Sequence, residues 1–200
     1  AYCIKAKNIV NASGPWLNKF LSDALPNIKP QRRIRLIKGS HIIVPRSKEL
    51  DKAYILQNED KRIVFVLPYL DKFSIIGTTD KEFNGKPEDV SIDEWEINYL
   101  IKVFNQHFST PITQDDIVST YSGVRPLCDD ESSDPSAITR DYTLALHKQS
   151  EHNALISIYG GKITTYRKLA ESVLEKLEPF IPNASPAWTA TEPLPGCETF

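Results

Sequence analysis

The stretch between Ile34 and Gly77 limits the fold most, because five short apolar runs follow one another there with no helix between them. Residues 34–36, 42–44, 53–56, 63–67 and 73–77 are rich in β-branched and aromatic side chains, and the links between them are turn-forming or charged. Parallel neighbours need long crossovers, usually helical, so strands joined this closely predict an antiparallel sheet.

Helical patterns flank this β region. Residues 7–12 read as a short buried strand, which Ser13-Gly14-Pro15-Trp16 turns into a helix, with Ser13 as cap and Pro15 near the first helical position. No earlier strand completes a parallel β-α-β unit, so the chain reads as beginning partway through a fold. Ser91-Ile92-Asp93-Glu94 has the capping-box pattern, and the helix it opens carries Ile92, Trp95, Tyr99, Leu100, Val103 and Phe104 on one face, suited to packing on the sheet. Residues 117–123 and 142–146 read as two further strands joined by the acidic loop 129–135. Residues 154–159 are the last strand and 163–177 the last long helix. Prolines at 179, 182, 186, 193 and 195 then predict a linker. The class expected is α+β: a mostly antiparallel sheet flanked by helices, with an incomplete α/β layer attached.

The chemistry concentrates at strand ends. An apolar strand stops at Gly160-Gly161-Lys162 and a helix opens with Ile163-Thr164-Thr165. Glycines allow close approach of a ligand, and free N–H groups at a helix start attract negative charge. A phosphate-binding P-loop is excluded, since Ile156 stands where the first glycine is required and Ile163 follows the lysine. The G-x-G-x-x-G fingerprint is absent here and at Ser13-Gly14. The corner therefore reads either as an anion site built from amides, Lys162 and a threonine hydroxyl, or as a glycine-rich turn with a solvated lysine. Arg125, in Ser122-Gly123-Val124-Arg125-Pro126, suits bidentate capture of phosphate or carboxylate beside a turn, or a salt bridge to Asp129 or Asp130. His41, entering an apolar strand, is a base near neutral pH or a hydrogen-bonded structural residue. Arg32, Arg33, Arg35 and Lys38 fit a solvated strand edge. His107, His147 and His152 lack ligand spacing, so no metal is assigned.

Composition closes off other classes. A net charge of -2 argues against a nucleic-acid partner, and no apolar run reaches the length of about 20 residues that spans a bilayer. Cys3, Cys128 and Cys197 are scattered, with no C-x-x-C pair, which suits a reducing cytoplasm. The absence of methionine, including an initiating one, and of a signal-peptide layout points to a piece of a longer protein.

Segments from about Ala6 to Leu177 resemble the flavin-dependent, quinone-linked glycerol-3-phosphate dehydrogenases. The resemblance is carried, in order, by Asn11-Ala12-Ser13-Gly14-Pro15-Trp16, Lys38-Gly39-Ser40-His41, Ile76-Gly77-Thr78-Thr79-Asp80, Ser122-Gly123-Val124-Arg125-Pro126-Leu127, Ile138-Thr139-Arg140-Asp141-Tyr142 and Gly160 to Leu169. It implies hydride transfer from sn-glycerol 3-phosphate to FAD, giving dihydroxyacetone phosphate, with electrons passed to quinone. By matching position, Arg125 would grip the phosphate, Lys162 would lie beside flavin and substrate, and His41 would take the hydroxyl proton. Gly14, Trp16, Gly161, Lys162, Ile163 and Thr164 would meet the cofactor. The division implied is residues 1–30 from the FAD-binding domain, 31–150 the substrate-binding sheet and helix, 151–180 the closing strand and helix of the FAD-binding domain, and 181–200 a linker. The family's N-terminal fingerprint and C-terminal domain are missing, so this chain alone is expected to bind FAD weakly or not at all and to be inactive. The resemblance also implies a cytoplasmic enzyme held peripherally on the membrane, with room for a homodimer. A related amine or hydroxy-acid oxidase, whose carboxylate Arg125 would equally bind, and a non-catalytic binding module are the alternatives.

Overall fold

The computed structural model describes residues 4–47, 50–129, 141–182, 185–194 and 196–197. Cys3, Asp130, most of the acidic loop, Ile138-Thr139-Arg140 and Pro195 lie outside them. The chain forms two units, one from the described residues of 1–34, 127–129 and 139–200, the other containing residues 35–126.

The first unit holds a three-stranded sheet in the order β1-β9-β8, from Asn8–Asn11 (β1), Thr143–Lys148 (β8) and Ala154–Tyr159 (β9). β1 runs parallel to β9, and β8 is antiparallel to it. The helices α1 (Leu17–Ala24) and α3 (Tyr166–Leu177) bury residues on opposite pleats of β9. Leu155 and Tyr159 pack with Leu17 and Leu21, whereas Ala154 and Ile156 pack with Val173, Leu177 and Phe180. Cover on both faces is why β9 reads as an unbroken apolar run rather than an alternating one.

The second unit is the antiparallel sheet foreseen from residues 34–77. Its strands are Ile34–Pro45 (β2), Tyr54–Gln57 (β3), Ile63–Tyr69 (β4), Phe73–Gly77 (β5), Lys81–Glu82 (β6) and Ser119–Cys128 (β7), in the order β3-β4-β5-β2-β6 with β7 also paired to β2. Leu100, Val103 and Phe104 of the helix α2 (Glu94–His107) close the core over Ile42, Val44, Val64, Val66 and Ile76. Each such side chain contributes about 1.5–3 kcal/mol on burial.

Several local expectations need correction. Residues 34–36 and 42–44 are one twelve-residue strand, which runs on through Gly39. The cap of α2 is Asp93 with Glu96, not Ser91 with Glu94: Asp93 Oδ1 accepts the Glu96 N–H at 3.1 Å, and Glu96 Oε2 accepts the Asp93 N–H at 3.0 Å. Trp95 is not on the buried face; half exposed, it stacks on Tyr99 with the Arg62 guanidinium over both rings. Ser13 makes no side-chain cap, because its hydroxyl donates backwards to the buried Asn11 Oδ1 at 2.6 Å. Residues 163–165 form a turn of 3₁₀ helix ahead of α3. Residues 143–148, read with the 31–150 stretch, pair with β9 in the first unit. No helix among the described residues is long and apolar enough to cross a membrane.

Candidate functional site

His41, Arg125 and their partners belong to the second unit. In the ladder of β2, His41 pairs with Gly77 and Lys38 pairs with Lys81, both antiparallel. Between those pairs Thr78, Thr79 and Asp80 face only Gly39 and Ser40, one residue more than a regular ladder accepts. Excess of this kind bends a strand and re-aims side chains, and it recurs beside active sites. Thr78 and Asp80 turn towards Arg125: Nη1 donates to Asp80 Oδ1 at 2.5 Å and Nη2 to Thr78 Oγ1 at 3.3 Å. Arg125 is therefore paired with Asp80, not with Asp129, which faces Arg33 at 3.8 Å in the first unit. It also lies within β7 rather than at a turn. Its guanidinium passes where a side chain at residue 39 would stand, since a Cβ on Gly39 would come within 2.9 Å of Nη2.

His41 lies nearly flat on Tyr121, with ring centroids 4.4 Å apart and planes 7° from parallel. Burial, and secondarily the Arg125 charge, lowers its pKa from 6.5 to about 4. The imidazole is thus neutral, the state in which it accepts a proton. Nδ1 is buried without a hydrogen-bond partner among the described residues.

Below these residues runs a buried polar chain. Lys38 Nζ lies 2.6 Å from Glu96 Oε2 and 2.9 Å from Asp93 Oδ2. Burial alone would pull the Lys38 ammonium down, but its hydrogen bonds to Glu96 and Asp93 outweigh that and hold it above its ordinary value. Burial pushes Asp93 up, yet the ammonium groups of Lys81 and Lys38 hold it well below the usual carboxylate range. Lys38 is accordingly no solvated edge residue. Two acids at the start of α2 enclose it, a tertiary pairing that the local pattern around residue 38 does not contain.

The first unit carries the other candidates. β1 and β9 are parallel neighbours, so the corners that follow them open at the same end of their sheet. Gly14 (φ 56°) makes the first corner, and Gly160 and Gly161 (φ 75° and 100°) the second. A Cβ on Gly160 would also meet the Asp141 carbonyl oxygen at 2.7 Å. Lys162 precedes the 3₁₀ turn, its carbonyl accepting the Thr165 hydroxyl at 3.0 Å. Lys162 and Thr164 are exposed, Ile163 is 87% exposed, and Trp16 is 40% exposed. Large apolar groups beside glycine corners at the ends of parallel strands suit a flat, mostly apolar ligand.

The structure thus gathers His41 with Arg125 in one unit, and Gly14 and Trp16 with Gly161, Lys162, Ile163 and Thr164 at one sheet end in the other. Thr78 and Asp80 stand in the Ile76–Asp80 motif without a role of their own there, and Tyr121 reads only as part of the strand over residues 117–123. Glu96 carried no signal beyond its place in the first turn of a helix. No group of three His, Cys, Asp or Glu side chains among the described residues is placed to hold a metal ion.

Known proteins resemble the chain over most of its length. The FAD dependent oxidoreductase family matches residues 2–167. The chain is 58% identical over 195 residues to the aerobic glycerol-3-phosphate dehydrogenase of Escherichia coli K12, covering 98% of this chain and 39% of that protein. It is 43% identical to D-erythritol 1-phosphate dehydrogenase of Brucella abortus, covering 97% and 38%. Among solved structures, the glycerol-3-phosphate dehydrogenase of Bacillus halodurans complexed with FAD superposes with a TM-score of 0.77 at 28% identity, over 93% of this chain and 34% of that one. A glycine oxidase from Geobacillus kaustophilus, at 17% identity and TM-score 0.55, shares the fold. The chain therefore spans about two fifths of the length of the curated relatives it matches.

Proposed function

Because the chain belongs to the FAD dependent oxidoreductase family, we propose that it supplies the substrate-binding sheet and closing flavin-fold segments of an enzyme oxidising sn-glycerol 3-phosphate to dihydroxyacetone phosphate. One observation carries the reading: on a single sheet, a neutral, half-buried histidine stands within the field of an arginine already braced by Thr78 and Asp80. A proton acceptor beside a fixed cation is what a phosphorylated secondary alcohol requires.

In this reading Arg125 binds the substrate phosphate through the N–H groups that Asp80 and Thr78 leave open. Its planar fork matches phosphate oxygens, and its orientation is set before the substrate arrives. Gripping a group remote from the reacting carbon holds the alcohol in place, so that binding energy becomes orientation. His41 Nε2 takes the hydroxyl proton as the carbonyl forms, and the Tyr121 ring keeps the imidazole plane fixed.

The residues of the first unit fit FAD. Gly14 and Gly161 open the corners by their positive φ, Trp16 and Ile163 offer apolar cover, and Thr164 offers a hydroxyl. FAD, when bound, supplies the two-electron acceptor for the hydride of the secondary alcohol carbon. Lys162 and the amides at the start of the helix would stabilise negative charge gathered there. Residues 1–30, 143–148 and 151–180 then serve the cofactor, 35–126 the substrate, and 181–200 the connection onward. Delivery of electrons to quinone, a peripheral position on the cytoplasmic membrane face and a homodimer belong to the same proposal.

The test is the complete enzyme with an artificial electron acceptor, offered glycerol 3-phosphate, D-erythritol 1-phosphate, a 2-hydroxy acid and glycine. Arg125→Ala should raise KM for glycerol 3-phosphate about 100-fold, the loss of charge-assisted hydrogen bonds to phosphate. Unchanged kinetics in that variant, or turnover of glycine in place of the phosphorylated alcohol, would overturn the assignment.

A further inference from the structure

The second unit buries a carboxylate that has no part in the chemistry above. Glu96, on α2, is fully buried. Removing a carboxylate from water costs several kcal/mol, and well-packed apolar replacements for buried ion pairs are often as stable or more so. Stability alone does not account for such a group, so its connections carry the argument.

Glu96 Oε2 faces the Lys38 ammonium of β2 and accepts the N–H of Asp93, the cap residue of α2. Glu96 Oε1 accepts the Thr79 hydroxyl at 2.6 Å. The Thr79 oxygen in turn accepts the Ser40 N–H at 2.9 Å. Ser40 is the chain neighbour of His41. Thr79 is flanked by Thr78 and Asp80, the two side chains that brace Arg125. One hydroxyl therefore ties down the residue before the proposed base and the centre of the tripeptide that presents the proposed phosphate ligand. It does so where three residues face two and the regular ladder is interrupted. The anchor at the other end is firm, because Leu100, Val103 and Phe104 fix α2 in the core.

We infer that Glu96, acting through the Thr79 hydroxyl, is a positioning residue that sets the placement of His41 and Arg125 together, an inference that rests on the substrate roles proposed above. Neither Glu96 nor Thr79 needs to touch substrate. Their effect is to hold a bulged backbone in the one arrangement in which both working side chains are in place.

The experiment compares Thr79→Val, Thr79→Ser and Arg125→Ala in the complete, FAD-loaded enzyme, measuring kcat and KM for glycerol 3-phosphate alongside thermal stability. Valine keeps the shape of threonine and removes both hydrogen bonds; serine keeps the hydroxyl. Thr79→Val should lower kcat/KM roughly 10- to 100-fold per folded enzyme, the scale of a misplacement near 1 Å, and Thr79→Ser should stay within about three-fold of the parent. A Thr79→Val enzyme with unaltered kcat/KM, beside an impaired Arg125→Ala enzyme, overturns the inference even if its Tm falls. If Arg125→Ala is also unimpaired, the substrate reading fails as well. Should Thr79→Val not give soluble protein, Thr79→Ala applies the same criterion, since it also removes the hydroxyl and both of its hydrogen bonds, and unaltered kcat/KM there overturns the inference equally.

Discussion

Replacing Gly77 by alanine separates a proposed base held in place by contact from a histidine that merely lies in the sheet. A Cβ at residue 77 would stand 2.2 Å from His41 Cδ2, 2.6 Å from Cγ and 2.9 Å from Nε2. Carbon atoms settle at about 3.5–4.0 Å, so the ring must retreat by more than about 1 Å. The flat stack on Tyr121 leaves little slack for that movement. Overpacking of this kind costs about 1–3 kcal/mol in stability, and displacement of a catalytic group by about 1 Å lowers the rate by about 10²-fold. The assay is kcat/KM for glycerol 3-phosphate in the complete enzyme, with thermal unfolding in parallel. Gly123→Ala is the folding control: nothing lies within 4 Å of a Cβ there, and the smaller entropy gained by the unfolded alanine chain should leave Tm unchanged or slightly raised. A Gly77→Ala enzyme whose kcat/KM stays within about three-fold of the parent would refute the role given to His41, because a misplacement of this size cannot be neutral for a general base.

Three further outcomes follow from the same geometry. Gly160→Ala should lower stability by about 2 kcal/mol or more, from the left-handed backbone and the contact with the Asp141 carbonyl, measured by urea unfolding. Lys38→Met should cost about 3–5 kcal/mol by stranding Glu96 without its counter-charge, and adding Glu96→Leu should recover much of that loss. His41 is depressed to about 4 from 6.5, so between those values the unfolded chain binds the proton and the folded chain does not. Stability should therefore rise with pH across that window, and His41→Asn should flatten the slope of the unfolding free energy against pH.

What the sequence disclosed, and what it withheld, follows the range of the interactions. The sheet of β2 to β5, the helix α2 and the strand β9 were legible because apolar periodicity and short links report burial locally. The corners at Gly14 and Gly160-Gly161 were legible because backbone with positive φ selects glycine. One reading of Arg125 set it against Asp129 or Asp130, a few residues on, yet its carboxylate partner is Asp80, 45 residues back in the chain. Lys38 was expected on a wet edge, yet its acids come from a helix more than fifty residues away. Both misplacements arise where the β5–β6 segment carries one residue too many for β2. No periodicity marks such a bulge, because the extra residue is specified by the hydrogen bonds of Thr79 rather than by a pattern of its own. The same irregularity brings Thr78 and Asp80 to the guanidinium and ties Ser40, next to His41 in the chain, to the Thr79 hydroxyl. The segment hardest to read from the sequence is thus the one on which the proposed chemistry turns, and a regular ladder of β2 against β5 and β6 would have lacked the extra residue that Thr79 anchors.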